Sequence, residues 1–197
     1  MMKILLATNN KHKVEEIKEI MGEYARMFKT LSDFSGLPIP VEDGKTYREN
    51  SLKKAMHYHK LTGLPAIADD SGIEIDAFDG KPGLMSARFI NPSISFEERN
   101  KIVLERMKNV PDEKRGAKFI CCCVLIYSDE DIRTEYGVFE GKIGYDIKGD
   151  YGFGYDPIFY LPKMKAYLAQ IPPEEKNKIS HRAIAFEKIK MHIKGEL

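Results

Sequence analysis

The sequence has almost no net charge and no long apolar run. Lysine and arginine number 31 and aspartate and glutamate number 30, which leaves a formal net charge of +1. Such a chain offers no basic field to hold a nucleic-acid backbone. No apolar stretch approaches the length of a membrane span, and the N-terminus lacks the apolar core of a secretory signal. We therefore expect a protein that binds neither nucleic acid nor membrane.

The sequence also lacks separated cysteines. Its three cysteines are adjacent, at Cys121, Cys122 and Cys123, so they cannot build a disulfide framework. This favours a reducing, cytoplasmic setting. Metal-binding cysteines are normally separated by other residues, whereas these lie in the apolar stretch "AKFICCCVLIY". That stretch is typical of a strand buried on both faces, and we interpret the cysteines as core residues.

The length and the order of elements predict one α/β domain over residues 1–197. Strands and helices alternate early, and a hairpin follows late, which indicates a mixed sheet. One helix is predicted from about Glu49 to a stop at Gly63. Residues 65–70 are predicted as a short strand, "SG" as a turn, and residues 73–78 as a second strand. Ser95 is expected to cap a later helix in a capping box.

Two predicted helices begin with cations, although a helix amino end favours acidic residues. In "ILLATNNKHKVEEI", Lys11 and Lys13 open the first helix, and Thr8 can cap it. The two lysines could simply be solvated. However, His181 and Arg182 open the last helix in the same way after Ser180. This recurrence favours a polyanion such as a polyphosphate at the two helix amino ends.

A polyphosphate site usually needs a metal ion, and carboxylates are available for one. Asp69 and Asp70 stand at the predicted end of a strand, and Glu42, Asp43 and Glu49 form a second acidic group. Hard oxygen ligands of this kind suit Mg²⁺. Two alternatives stay open, because Glu49 could complement a helix dipole and Asp69 could cap a turn.

The segment "YGFGYDPIF" is a candidate for binding a base. Glycines on both sides of Phe153 allow close approach and leave the ring accessible for stacking. Asp156 could accept hydrogen bonds from a purine edge. The alternative is a tight turn with Phe153 packed in the core. In the nearby loop "GKPGLMSARF", Arg88 is either a substrate contact or a surface ion-pair partner.

Together these segments resemble the inosine triphosphate pyrophosphatase family, whose members hydrolyse non-standard purine nucleoside triphosphates. "LLATNNKHKVEE" is similar to the family's opening (S/T)xNxxK motif. "RENSLKKA" and "PAIADDSGIEIDAFDGKPGLMSARF" are similar to its central motifs, and "GFGYDPIF" and "EEKNKISHRAIAF" to its closing motifs. The likeness runs through the whole chain in the family's order.

The resemblance implies an elongated mixed β-sheet flanked by helices, with two lobes, a central cleft and usually a homodimer. It implies that Glu42 and Asp70 hold Mg²⁺ and that Asp70 activates water. Period-two geometry puts Asp69 and Asp70 on opposite strand faces, and only the resemblance selects Asp70 as the base. The implied substrate-binding residues are Thr8, Asn9, Asn10, Lys11, His12, Lys13, Ser71, Phe153, Gly154, Tyr155, Asp156, Lys176, His181 and Arg182.

The implied reaction converts ITP, dITP or XTP and water to the nucleoside monophosphate and pyrophosphate. We expect a donor on His181, on Arg182 or on the backbone near Phe153 to select the C6 carbonyl of these purines. Two alternative functions remain at this stage. One is a pyrophosphatase for other modified nucleotides, and the other is a nucleotide-binding module without turnover.

Overall fold

The computed structural model describes residues 2–193. Over this range the chain forms five α-helices and seven β-strands. Within the same range, no helix is long and apolar enough to cross a membrane. In chain order the elements are β1 (Ile4–Leu6), α1 (Lys11–Met21), β2 (Phe28–Thr30), α2 (Tyr47–Thr62), β3 (Ala66–Ile75), α3 (Phe96–Arg106), β4 (Gly116–Ile126), β5 (Ile132–Ile143), β6 (Phe159–Leu161), β7 (Ala166–Tyr167), α4 (Pro173–Ile179) and α5 (His181–Lys190).

The strands of residues 2–193 form one mixed sheet in the order β2-β1-β3-β4-β5-β6-β7. β1 pairs in parallel with β2 and β3, whereas β6 pairs antiparallel with β5 and β7. The neighbours β4 and β5 are joined by a short turn, in which Tyr127 N donates to Asp131 O over 2.9 Å. The predicted α/β class, the mixed sheet and the late hairpin are therefore confirmed.

The chain divides into two compact units, with boundaries inside β3, β4 and β5. Unit 1 contains the described residues up to Asp70, Cys121–Gly137 and the described residues from Ser180 onward, and unit 2 contains Ser71–Ile120 and Val138–Ile179. Each unit has its own apolar core. The three cysteines are buried in the cores of unit 1, as predicted from their apolar surroundings.

The sequence-based prediction of two strands around an "SG" turn is wrong. β3 runs without interruption from Ala66 to Ile75, so Asp69 and Asp70 lie inside a strand and not at its end. Gly72 is needed for close packing and not for a turn, because a Cβ there would lie 2.2 Å from Gly83 O. The two aspartates are still expected on opposite faces of the strand, because they are neighbours on an extended backbone.

Most predicted helix ends agree with the structure. Gly63 ends α2 in the left-handed conformation with a φ of 68°, and Ser95 caps α3 in a complete capping box with Glu98. α2 begins two residues earlier than predicted, because Thr46 is its N-cap. Glu49 accepts a 2.7 Å hydrogen bond from Lys45 N, so it supports the start of this helix.

Candidate functional site

The junction between β1 and α1 is a capped helix amino end with no acidic residue in its first turn. The cap is Asn10, whose Oδ1 accepts from Lys13 N over 3.2 Å. Thr8, which the sequence suggested as the cap, accepts from Asn10 N over 3.2 Å and closes the turn before it. Asn9, Asn10, Lys11 and His12 are exposed. This segment can therefore present backbone N–H groups and cations to an anion.

Lys13 is not a merely solvated lysine. Its ammonium lies 2.9 Å from Asp69 Oδ2, and its side chain is mostly buried. Asp69 is 1% exposed on β3 and also accepts from Arg182 Nη2 over 3.4 Å. Arg182 is 2% exposed at the start of α5 and donates through Nη1 to Glu16 of α1. Two cations and two carboxylates thus form a buried charge network on one face of β3.

Asp70 faces a different set of partners. Its Oδ2 accepts from Asn50 Nδ2 over 3.0 Å, and its Oδ1 lies 3.9 Å from Lys54 Nζ. Lys54 also donates to Glu42 Oε2 over 2.7 Å. Asn50 and Lys54 are four residues apart on α2, so they point to the same side of that helix. The hydrogen-bond partners described for the two aspartates differ, as expected for adjacent residues on opposite faces of a strand, while Lys54 also acts electrostatically on Asp69 and Lys13 on Asp70.

The two aspartates differ in acidity. Burial opposes ionisation of Asp69, but Lys13 and Arg182 outweigh it and hold the pKa of Asp69 below its usual value. At Asp70 burial dominates, and its pKa is raised although Lys54 and Asn50 favour the charged form. A general base works best when its pKa is closer to the operating pH. In the metal-free protein, this difference in pKa favours Asp70 over Asp69 as a proton acceptor.

The residues around Lys54 fit a magnesium site in which the protein supplies only one or two ligands. The carboxylates of Glu42 and Asp70 both lie near the same ammonium, that of Lys54. Mg²⁺ commonly takes one or two carboxylates and completes its shell with substrate phosphates and water. Among residues 2–193, no group of three or more histidine, cysteine or acidic side chains could hold a metal. A site here would depend on substrate for its remaining ligands.

A second group of predicted site residues lies in unit 2, at the turn of residues 152–156. Gly152 and Gly154 have φ angles of 74° and 70°, and between them Phe153 is half-buried. Asp156 Oδ2 accepts from Phe153 N over 2.9 Å and from Lys176 Nζ over 2.6 Å. The Lys176 ammonium lies 5.0 Å from the centre of the Phe153 ring. Asp156 therefore stabilises the conformation of this turn, because it is buried and its Oδ2 accepts the hydrogen bond from Phe153 N.

The remaining predicted residues have clear positions. His181 is buried at the first position of α5, after the N-cap Ser180, whose Oγ accepts from Ala183 N over 3.1 Å.

Ser71 follows Asp70 in β3 and is half-buried, and Arg88 is exposed. Tyr155 is buried and donates to Ser86 O over 2.8 Å, so it links the turn to the segment that carries Ser86.

Comparison with known families places the chain. The model of the Ham1 family matches residues 4–192, nearly the whole chain. The chain belongs to the Ham1 family.

Ham1 proteins of known structure share the fold. The structure of a HAM1 protein from Coxiella burnetii superposes with a TM-score of 0.87 at 39% identity and covers 98% of both chains. The Ham1 protein of Staphylococcus aureus gives a TM-score of 0.84 at 32% identity, over 96% of this chain and 97% of that one.

Sequence relatives carry a functional name. A Dictyoglomus thermophilum protein named dITP/XTP pyrophosphatase is 46% identical over 96% of this chain and 93% of its own length. A Thermus thermophilus protein of the same name is 44% identical over 93% of this chain and 88% of its own length. These matches confirm the family resemblance found in the sequence motifs.

Sequence reasoning missed three side chains of this candidate site. Glu16 binds Arg182, Asn50 binds Asp70, and Lys54 binds Glu42. Glu16 could have been suspected, because it precedes Ile17 and lies four residues before Ile20 on the apolar face of α1. Asn50 and Lys54 lie in the quoted motif "RENSLKKA" with a spacing of one helical turn, which could have pointed to a shared role.

Gly137 sets the position of α5 in this Ham1 chain. A Cβ on Gly137 of β5 would lie 1.9 Å from His181 O and 2.7 Å from Ala185 N. The helix that begins with His181 and Arg182 thus rests directly on strand backbone. Only glycine permits this approach.

We expect Gly137→Ala to lower the free energy of unfolding by about 3 kcal/mol or more, because backbone must shift to admit the methyl group. Activity should also fall, since the start of α5 moves. Urea unfolding monitored by circular dichroism measures the first effect. Gly80→Ala is the control, because a Cβ added at Gly80 would have no atom within 4 Å. The only expected cost there is the strain of alanine at a φ of 79°, about 1 kcal/mol. Equal losses in both variants would contradict this explanation.

Proposed function

We propose that this chain hydrolyses ITP, dITP and XTP to the nucleoside monophosphate and pyrophosphate, and so removes non-standard purines from the nucleotide pool. The observation that carries the proposal is the asymmetry of the two aspartates on β3. Asp69 is neutralised by Lys13 and Arg182, whereas Asp70 has a raised pKa and faces Lys54. The names of the sequence relatives support the substrate class.

In the proposed reaction, water attacks the α-phosphorus of the substrate. Asp70 accepts the proton of that water, and the bond from the α-phosphorus to the bridging oxygen of the leaving pyrophosphate breaks. Lys13 and the N–H groups at the start of α1 stabilise the charge that develops on pyrophosphate. The triphosphate would contact the segment made of Thr8, Asn9, Asn10, Lys11, His12 and Lys13.

Glu42 and Asp70 would hold Mg²⁺ together with substrate phosphates. The ion would polarise the phosphate and lower the pKa of bound water. Asn50 holds the Asp70 carboxylate by its 3.0 Å hydrogen bond. Lys54, which lies 2.7 Å from Glu42, would balance the negative charge of both carboxylates and help to hold the phosphates.

We propose that the turn of residues 152–156 binds the purine, with Phe153 stacked on the base. Gly154 would approach the ligand closely, while Asp156 and Lys176 keep the turn in shape. The earlier suggestion that Arg182 donates to the purine C6 carbonyl is disfavoured, because its guanidinium is committed to Glu16 and Asp69. His181 or a backbone N–H near Phe153 therefore remains as the proposed donor, and Ser71 and Tyr155 complete the proposed substrate contacts.

The test is pyrophosphate release from ITP, dITP, XTP, ATP and GTP, each with Mg²⁺ and with EDTA. We expect turnover of the first three with Mg²⁺, at a kcat/KM about a hundredfold or more above that for ATP. EDTA should abolish it. A preference for modified pyrimidine nucleotides would identify the alternative pyrophosphatase. Tight binding of ITP without pyrophosphate release would identify a non-catalytic module and overturn the enzyme assignment.

Three further expectations belong to this proposal. The first is that residues 1–197 act as a single pyrophosphatase domain, although they divide into two compact units. The second is a homodimer, which the family resemblance implies. The third is a cytoplasmic location, in agreement with three buried free cysteines.

A further inference from the structure

The turn that carries Phe153 has little conformational restraint of its own. The glycines at 152 and 154 both adopt positive φ angles, and glycine loses more conformational freedom on ordering than any other residue. The direction of the Phe153 ring therefore depends on what holds the peptide groups at each side of it. On the N-terminal side, Phe153 N donates to the buried carboxylate of Asp156 over 2.9 Å.

On the C-terminal side the turn is held by Asn100 of α3. Asn100 is 2% exposed, and its Nδ2 donates to Gly154 O over 3.0 Å. Phe96 lies one helical turn earlier on α3. Its ring meets that of Tyr155 edge to face at a centroid distance of 5.6 Å, and it would lie 3.8 Å from a Cβ on Gly154. The amino-terminal half of α3 is thus the support on which this turn rests.

The asparagine at this position is not explained by the stability of α3. Its Oδ1 is buried and has no hydrogen-bond partner among residues 2–193, and a buried acceptor without a partner carries a free-energy cost. Asparagine is also a poorer helix former than leucine or alanine. Its neighbours on the same helix include Val103, which packs in the core of unit 2. An apolar residue would avoid both costs but could not hold the Gly154 carbonyl.

We infer that Asn100 is a positioning residue for purine binding. It fixes the Gly154 carbonyl and, together with Asp156, aims the Phe153 ring at the base. This inference rests on the proposed function, because it assumes that Phe153 stacks on a purine. Asn100 is expected to affect binding of the base but not of the triphosphate. The groups proposed to bind the triphosphate belong to unit 1.

The test variant is Asn100→Leu, which keeps the branched arrangement of side-chain heavy atoms and removes the amide. We expect KM for ITP to rise about tenfold or more, with kcat changed less than threefold. Inorganic tripolyphosphate, which has no base, should inhibit wild type and variant with equal inhibition constants. Asn100→Ala removes the same donor without adding volume, and it should show the same pattern if leucine is not accommodated.

Two controls separate positioning from loss of structure. Val103→Ala lies on the same helix and creates a cavity in the same core, so it should lower stability without changing KM for ITP. Phe153→Ala should raise KM for ITP and leave tripolyphosphate inhibition unchanged. An unchanged KM in Asn100→Leu, or an equal loss of ITP and tripolyphosphate binding, would overturn the inference. A wild type that releases no pyrophosphate, or a Phe153→Ala variant with normal KM, would instead overturn the proposed function or its purine assignment.

Discussion

Replacing Asp70 by asparagine is expected to lower kcat for ITP by a factor of about 10³ or more, without loss of stability in metal-free buffer. The activity falls because an amide cannot accept the proton of the attacking water. The fold should tolerate the change, because an asparagine oxygen can still accept from Asn50 Nδ2, as Asp70 does over 3.0 Å. Lys54 loses a partner at 3.9 Å but keeps Glu42 at 2.7 Å.

The direction of the stability change follows from the pKa of Asp70. Burial raises this pKa in the folded state, so the unfolded chain loses the proton more readily. At neutral pH the ionised carboxylate therefore favours the unfolded state, and stability falls as pH rises through the pKa values. An uncharged asparagine removes this penalty. We thus expect an unfolding free energy equal to or above that of wild type at pH 7 with EDTA.

The measurements are initial rates of pyrophosphate release and urea unfolding at pH 7. Glu74→Gln is the matched control, because Glu74 lies on the same strand, has an ion pair with Lys118 at 3.3 Å and has no proposed role. It should keep the wild-type kcat. A fully active Asp70→Asn variant would show that another group takes the proton.

The strand that carries both aspartates shows how far local sequence reasoning reaches. Period-two alternation put Asp69 and Asp70 on opposite faces, and this held although the predicted strand end was wrong. The error came from reading "SG" as a turn. The close approach of Gly72 to Gly83 depends on a segment eleven residues further along the chain, so nothing local distinguishes it from turn chemistry.

The helix amino ends show a similar limit. Cations at the start of α1 and α5 indicated that both helix amino ends bind a polyanion, and the family motifs supplied the candidate residues. Neither source showed that Lys13 and Arg182 both bind Asp69. Arg182 and Asp69 are 113 residues apart in the chain, and the pairing arises only when α1, β3 and α5 pack in unit 1. The hydrogen bond from Asn50 to Asp70 likewise arises only when α2 packs against β3.

Replacing Asp69 by asparagine should have the opposite effect on stability from Asp70→Asn. Asp69 is fully buried between Lys13 and Arg182, at 2.9 Å and 3.4 Å. Its loss removes an acidic partner from both cations, of which Arg182 keeps its ion pair with Glu16. Removing one member of a buried ion pair typically costs about 3–5 kcal/mol. We expect a loss of this size at pH 7, measured by urea unfolding.

The pH dependence provides an independent check on this role. Lys13 and Arg182 hold the folded-state pKa of Asp69 below its usual value against the effect of burial. The contribution of Asp69 is therefore complete above the unfolded-state pKa of about 3.9 and is lost as pH falls through the lower folded-state pKa. The difference in stability between wild type and Asp69→Asn should shrink as the pH is lowered below about 4. Asp112→Asn, at an exposed ion pair with Lys142, should show no measurable change at pH 7.

The two variants together assign the two carboxylates. Asp69→Asn should also lower activity, because Lys13 and Arg182 lose the group that orients them, but the loss accompanies reduced stability. Asp70→Asn should lose activity in a stable protein. A stable Asp69→Asn protein beside an unstable Asp70→Asn protein would reverse the assignment, because the ion-paired carboxylate would then not be the one that supports the fold. The opposite signs follow from one structural cause, which is that adjacent residues of an extended strand face different partners.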